Sequence, residues 1–472
     1  MTEARYAPGD GASPRVAFVV YNDVHRDARV MRIAKAAVDA GAKVRVFAFG
    51  GPRVSRYPAG ITEHEDGFEI ERVAIRSIGH VLVDAGRTAR LVIGRGAPAA
   101  VAPAGAPAVA VATAIVPAEG AAAALPATPR GIKGWTVKQW RRADRTVRQF
   151  SFWRRARAAV RSWAPNLVHA HDANTLPVAT RVAGRLGIPF VYDSHELWTR
   201  RNVSADRPIA KRLEGPMERR GARRAAGVIT VSPSIAEWLQ ERYRLRELPT
   251  LVRNIPPLGD RSIERSDGRL RELAGLDDDT RVVAYCGGIT FNRGIERVIE
   301  AMPHLPDDTH FVLLGEGSEV YVDGLRRLVA RTGDGDRVHF VGAVPPAEVS
   351  AALADADVSV ALTQPTVLSY EYSLPNKLFE SVHAGVPVLT SATKDASEVV
   401  RRYDLGGVVD PHASPEALAG AIEAVIGAAS RHRAAARAAA AELSWQQEAS
   451  RLIDLHRRLL ESDASRRGSI GV

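Results

Sequence analysis

The chain has 472 residues, 46% apolar and 25% charged, and a formal net charge of +10. That length exceeds what one hydrophobic core organises and predicts two or three globular domains, while the composition excludes a disordered or fibrous protein. The single cysteine, Cys286, excludes an intramolecular disulfide and a cysteine-based metal cluster, which suits a reducing compartment.

The polar opening MTEARYAPGDGASPR lacks the apolar core of a signal peptide, and the apolar run Ala108 to Val116 is too short to span a bilayer. A cytoplasmic protein is expected. The positive charge is mostly arginine and fits either a solvated surface or attraction to phosphate-bearing partners, between which charge alone does not choose.

Residues 16 to 20 (VAFVV) predict a buried strand, Asp27 to Ala40 a helix ending at Gly41, and Lys43 to Phe49 a second strand. The alternation returns at Leu167 to His171, Phe190 to Ser194 and Gly227 to Val231, which implies a parallel sheet covered by helices. Between about 94 and 130 the pattern dissolves into Ala, Pro and Gly, and Pro98, Pro103, Pro107 and Pro117 forbid a continuous helix, so an irregular insertion is expected. The stretch Trp135 to Trp163 interleaves arginines with Trp140, Phe150, Phe152 and Trp153. It reads either as a helix packing its aromatics on the sheet or as one lying peripherally on an anionic membrane face.

Adjacent Pro256 and Pro257 mark a linker over Val252 to Asp260. A second α/β series follows: VVAYCGG, a helix from Ile295 to Met302, FVLLGEG, VHFVGAV, DVSVAL and VPVLT, with Ala-rich helices after Val409. The expected division is an acceptor domain at 1–255, a donor domain at 256–430, and C-terminal helices at 431–472 that pack back toward the first domain before a frayed tail.

Ligands of open parallel sheets bind beyond the carboxyl ends of the strands, which directs attention to the polar residues there. In the first half these are Tyr21, Asn22 and Asp23, then His169, His171 and Asp172, then Asp193, His195 and Glu196. A metal site at the two histidines lacks a Glu or Cys at ligand spacing, so hydrogen bonding to substrate is preferred and no metal is expected. In the second half Gly287 and Gly288 end a strand, and Arg293 precedes Gly294 at a helix start, an arrangement that suits a diphosphate. Pro375 stands where a helix starts and Gly385 where it stops. Lys377 and Glu380 share a face of its first turn, so one can meet a phosphate while the other accepts from a ribose diol.

These segments together resemble glycosyltransferase family 4. The likeness rests on NDVHRDARVMRIAKAAVDAGAKV, NLVHAHD, VYDSHELW, VSPS, VRNIPP, GGITFNRG, LLGEG, HFVG and SLPNKLFESVHAGVPVLT, in the family's order. It implies an α/β fold of GT-B architecture, two Rossmann-like parallel-sheet domains facing across a cleft. It also implies retaining transfer of a hexose-type sugar from a nucleotide-sugar co-substrate, UDP- or GDP-linked, with no cofactor and no metal. The acceptor would be a glycan, a lipid-linked saccharide or a small molecule.

In the family, two glutamates separated by seven residues mark the donor site. Glu380 matches the second, while Tyr372 stands at the first, which shifts the sugar contacts to the backbone around Ser373 and Leu374. Gly288 takes the place of a diphosphate-binding Arg and Arg293 that of its Lys partner. The resemblance makes Arg293, Lys377 and His171 the catalytic group, with Gly287, Gly315, Glu316, Gly317 and Asn254 lining the nucleotide. Asp23, Arg26 and Arg29 in the altered N-terminal loop, with His195, are assigned to the acceptor.

Rival readings are a nucleotide-sugar epimerase on the same architecture, a non-catalytic glycosyltransferase-like protein, and a nucleic-acid binder. The last is disfavoured because the basic residues are scattered and form no binding module. A dehydrogenase is disfavoured because no strand leads into a Gly-x-Gly-x-x-Gly turn.

Overall fold

The computed structural model describes residues 5–6, 13–25, 27–52, 54–79, 132–201, 208–259 and 262–468. The expected insertion at 94–130 and Arg26 lie outside the described residues. The chain forms two compact units that divide after Phe190, so strands β1 to β5 stand in one and β6 to β14 in the other.

In the first unit β1 (Arg15–Val19), β2 (Lys43–Gly50), β3 (Gly60–Glu63), β4 (Glu69–Ala74) and β5 (Leu167–His171) lie in the order β3-β4-β2-β1-β5. The pairs are parallel except β3 with β4. β3 and β4 were not legible as strands, because GITE is exposed along its whole length and EIERVA has no continuous apolar run. The helix Ala28–Asp39 starts where Asp27 accepts from Val30 N at 3.1 Å and buries Val30, Ile33, Ala34 and Ala37.

The basic aromatic stretch is a helix, Ile132–Trp163. Phe152, Ala156 and Val160 are fully buried at four-residue spacing, and Trp163 takes the edge of Phe47 at 6.0 Å and the guanidinium of Arg15 at 4.7 Å. Packing therefore accounts for one stripe of this helix. Trp140 and Phe150 stand off that stripe, 46% and 61% exposed.

In the second unit β6 (Phe190–Ser194), β7 (Gly227–Thr230) and β8 (Thr250–Leu251) run parallel side by side. A separate six-stranded parallel sheet contains β9 (Arg281–Cys286), β10 (Thr309–Leu314), β11 (Val338–Gly342), β12 (Val358–Ala361), β13 (Val388–Ser391) and β14 (Gly406–Val409). Their order is β11-β10-β9-β12-β13-β14. Alternation along β9 sends Val283 and Tyr285 into the core of one face and Val282, Ala284 and Cys286 into that of the other. Such two-sided burial is why this strand is a continuous apolar run.

The linker after β8 has no regular structure from Val252 to Leu258 and is held by the last helix, Trp445–Gly468. Arg253 donates to Glu448 at 2.9 and 2.6 Å, and Gln446 exchanges hydrogen bonds with both backbone groups of Leu258. The same helix reaches β7, where Gly227 leaves room for Leu455 and Leu459. Among the described residues no helix is long and apolar enough to cross a membrane.

Candidate functional site

In the six-stranded sheet the chain leaves β9 toward β10 on one side and later places β12 on the other. Crossovers to opposite sides open a crevice beyond the carboxyl ends of β9 and β12. Every donor-side residue named from the sequence except Asn254 lies on a segment that follows β9, β10 or β12.

The turn after β9 depends on two close backbone approaches. Gly287 has φ +103°, which favours glycine, and a Cβ at Gly315 would overlap the carbonyl oxygen of Gly287. Gly287 N donates to Leu314 O at 2.9 Å and Ile289 N to Glu316 O at 2.8 Å. Gly315 and Gly317 are thus glycines because two strand ends abut there. Around Gly288, by contrast, a Cβ would meet nothing within 4 Å.

The helix Asn376–His383 begins at Pro375, which supplies no side-chain cap, and the backbone amides of Asn376 and Lys377 have no partner among the described residues. An uncapped helix mouth of this kind favours an anion. Lys377 and Glu380 lie one turn apart and both reach the end of β9. Lys377 Nζ donates to Tyr285 OH at 3.1 Å and sits 4.2 Å from the ring centroid. Tyr285 OH in turn donates to Gly288 O at 2.6 Å.

Glu380 accepts from Cys286 Sγ at 3.3 Å. Burial, and then the neighbouring Glu380 carboxylate, push the Cys286 thiol well above its ordinary range, so it remains a neutral donor. Tyr285 and Cys286 escaped the sequence reading as site residues because apolar-run membership masked their polar ends.

Arg293 occupies the turn before the helix Ile295–Ala301, where Gly294 packs against Leu362 at the end of β12. Its guanidinium lies 5.2 Å from the ring centroid of Tyr370. Tyr370 belongs to the short helix Leu368–Glu371 that leads into the SLPNK segment. Ser373 N and Oγ both donate to Tyr370 O, so of the two amides expected at the sugar, that of Leu374 is without a partner among the described residues. Tyr372 points its ring toward Lys394 Nζ, 5.7 Å away, and its carbonyl accepts from Ser232 Oγ at 2.6 Å.

Further contacts seat the segments after β6 and β7 against this region. Leu197 N donates to Ser369 Oγ at 3.3 Å, and Ser234 N and Oγ donate to Asp395 at 3.1 and 2.7 Å. Ser232 and Ser234 entered the sequence reading only as part of the VSPS segment, and Asp395 was not singled out. His195 pairs with the fully buried Asp193 at 3.2 Å. Asn254 is half-buried, next to the buried Arg253.

The first unit presents its own switch point between β1 and β5. Phe18 aligns with His169 across the strands, and the rings of His169 and His171 lie 5.0 and 5.8 Å from it, both histidines fully buried. Asp172 follows at φ +61°, a strained conformation for a non-glycine residue. Asp23 accepts from Ser55 Oγ at 2.9 Å, and its carbonyl from Arg72 at 3.1 Å. Arg29 is buried on the first turn of its helix.

Two family models match segments of the chain. Residues 108–256 match the model described as Glycosyltransferase Family 4, and residues 267–442 match Glycosyl transferases group 1. An uncharacterized glycosyltransferase of Methanocaldococcus jannaschii is 25% identical over 265 residues, 55% of this chain and 66% of its own. A D-inositol 3-phosphate glycosyltransferase of Xylanimonas cellulosilytica is 31% identical over 210 residues, 43% of this chain and 47% of its own. The chain therefore spans less than two thirds of the length of these curated relatives. Among solved structures, sucrose-phosphate synthase from Thermosynechococcus elongatus superposes with a TM-score of 0.64 at 17% identity, covering 95% of this chain and 100% of that one.

Proposed function

We propose the following activity for a chain that belongs to glycosyltransferase family 4 and has the GT-B fold: retaining transfer of a hexose-type sugar from a UDP- or GDP-linked donor to a glycan, lipid-linked or small-molecule acceptor. One observation carries it. Lys377 and Glu380, on one turn of an uncapped helix, meet Tyr285 and Cys286 at the switch point of the second sheet. A cation and open amides there suit a diphosphate, and a carboxylate one turn on suits a ribose diol.

In this reading the bond between the sugar C1 and the diphosphate oxygen breaks with its electron pair going to the diphosphate, which gains charge, while an acceptor hydroxyl oxygen bonds to C1 on the same face and gives its proton to the departing diphosphate oxygen. Arg293 and Lys377 stabilise that charge where it develops, without a metal or cofactor. Gly287, Gly288, Asn254, Gly315, Glu316 and Gly317 surround the nucleotide, and Tyr372, Ser373 and Leu374 the sugar. His171 faces the reacting centre, and Asp23, Arg26, Arg29 and His195 serve the acceptor. The acceptor domain runs over 1–255, the donor domain over 256–430 and the C-terminal helices over 431–472. Exposed Trp140 and Phe150 give the long basic helix a means of resting on an anionic membrane.

The test is thermal stabilisation of the purified chain by UDP-, GDP-, ADP- and TDP-sugars, followed by the anomeric configuration of the product. A stabilising UDP- or GDP-sugar and a product that keeps the donor's configuration are expected. Stabilisation by none of them would remove the donor assignment.

A further inference from the structure

A cavity of about 1100 Å³ opens in the β6 to β14 unit, and neither Lys377 nor Glu380 lines it. Its wall is formed by the helices Pro208–Ala222 and Pro233–Tyr243 and the turn Trp198–Arg200, and it reaches Val367 and Leu368. Arg200, Arg219, Arg220, Arg223, Arg224 and Arg242 line it, and no carboxylate does among the described residues. None of these six forms an ion pair with a described residue. A seventh, Arg201, is stacked on Trp198 at 3.4 Å and so is held in place.

Sequence accounts for part of this concentration. Arg219 with Arg223, and Arg220 with Arg224, recur at four-residue spacing at the end of one helix and just beyond it, which puts each pair on one side. Like charges so spaced repel, and nothing in the lining offsets them. Several other arginines of the second unit are paired with carboxylates, as with Arg271 and Asp357 at 2.8 Å or Arg281 and Asp308 at 2.8 Å. The guanidinium fork matches phosphate oxygens two at a time, and a cavity with this many forks suits a ligand bearing more than one phosphate. Trp238 and Tyr243 add apolar surface on which a sugar ring or alkyl chain can lie. Tyr243 is fixed from behind, because its hydroxyl donates to the buried Glu218 at 2.7 Å.

We propose that this arginine-lined cavity binds a di- or polyphosphorylated ligand and that it holds the phosphate end of the acceptor. Its border on Val367 and Leu368, which lead into the sugar-facing segment Tyr372 to Leu374, places such a ligand beside the donor. The acceptor role rests on the transferase reading; the anion site does not.

The test titrates pyrophosphate into the full chain and into the R219A/R223A, R219K/R223K and R293A variants, with melting curves confirming folding. Wild type should show two sites. R219A/R223A should weaken one of them about ten- to a hundred-fold, as expected for lost charge-assisted hydrogen bonds, and R219K/R223K should restore it in part. Arg293→Ala should weaken the other. Inositol hexakisphosphate in solution and phosphatidylcholine vesicles with or without phosphatidic acid then separate a free from a lipid-borne phosphate. Arginine-dependent binding in either arm supports the site, and equal binding of all probes by wild type and R219A/R223A overturns it. Donor hydrolysis without acceptor should survive in R219A/R223A. If no nucleotide sugar binds while the arginine-dependent site persists, only the acceptor role is lost.

Discussion

Replacing Lys377 by alanine removes the ammonium that the structure places at the end of β9, 3.1 Å from Tyr285 OH. Lys377 is half-buried on the first turn of its helix, and the substitution keeps helix propensity, so the fold should tolerate it. A hydrogen bond between a cation and a phosphate contributes roughly 1.5–3 kcal/mol. That corresponds to a UDP or GDP dissociation constant about ten- to a hundred-fold weaker. The free nucleoside lacks the diphosphate and should bind the variant as it binds wild type. Isothermal titration with nucleoside and diphosphate side by side makes the comparison. Glu380→Ala should show the contrasting pattern, weakening both ligands alike, because the carboxylate serves the ribose. Equal weakening of nucleoside and diphosphate in Lys377→Ala would refute the phosphate role, as would unchanged diphosphate binding.

Glu448→Ala should destabilise the chain by about 3–5 kcal/mol in chemical denaturation, because it strands the buried Arg253 guanidinium, whereas Glu448→Gln, which keeps an acceptor, should cost less. Gly315→Ala should lower stability by about 1–3 kcal/mol through overlap with Gly287 O, while Gly288→Ala, with open space at its Cβ, should stay within about 0.5 kcal/mol in the same assay. Cys286 should resist alkylation at neutral pH, since its thiol is held neutral by burial and Glu380. Its raised folded pKa also means that the unfolded thiol releases its proton first. This contribution to stability is present at neutral pH and fades as pH rises above the ordinary thiol range, which comparison of wild type with Cys286→Ser across alkaline pH would detect. Removing Trp140 and Phe150 together should reduce cosedimentation with anionic vesicles and leave the melting curve unchanged, since both are exposed; unchanged cosedimentation would remove the membrane contact.

The strand and helix alternation was legible because each buried parallel strand is an apolar run and each helix start carries its own signal. β1, β5, β6 and β9 follow VAFVV, NLVHAH, PFVYDS and VVAYC closely, and Pro375 and Gly385 bracket the helix that bears Lys377 and Glu380. Short strands with mixed or exposed faces, such as β3, β8 and β14, left no comparable trace. The helical spacing of Lys377 and Glu380 was likewise a local property that any chain segment displays before it folds.

What those residues meet was decided by tertiary structure. Glu380 finds Cys286 across 94 positions, Ser232 finds Tyr372 across 140, and Ser234 finds Asp395 across 161. Sheet order brings these partners together, and it arises from how crossover helices pack, which no local window of residues encodes. The arginine cavity has the same origin. Its charges were visible along the chain as scattered arginines, and only the packing of two helices against the turn before Leu368 collected them around one space whose described lining contains no carboxylate.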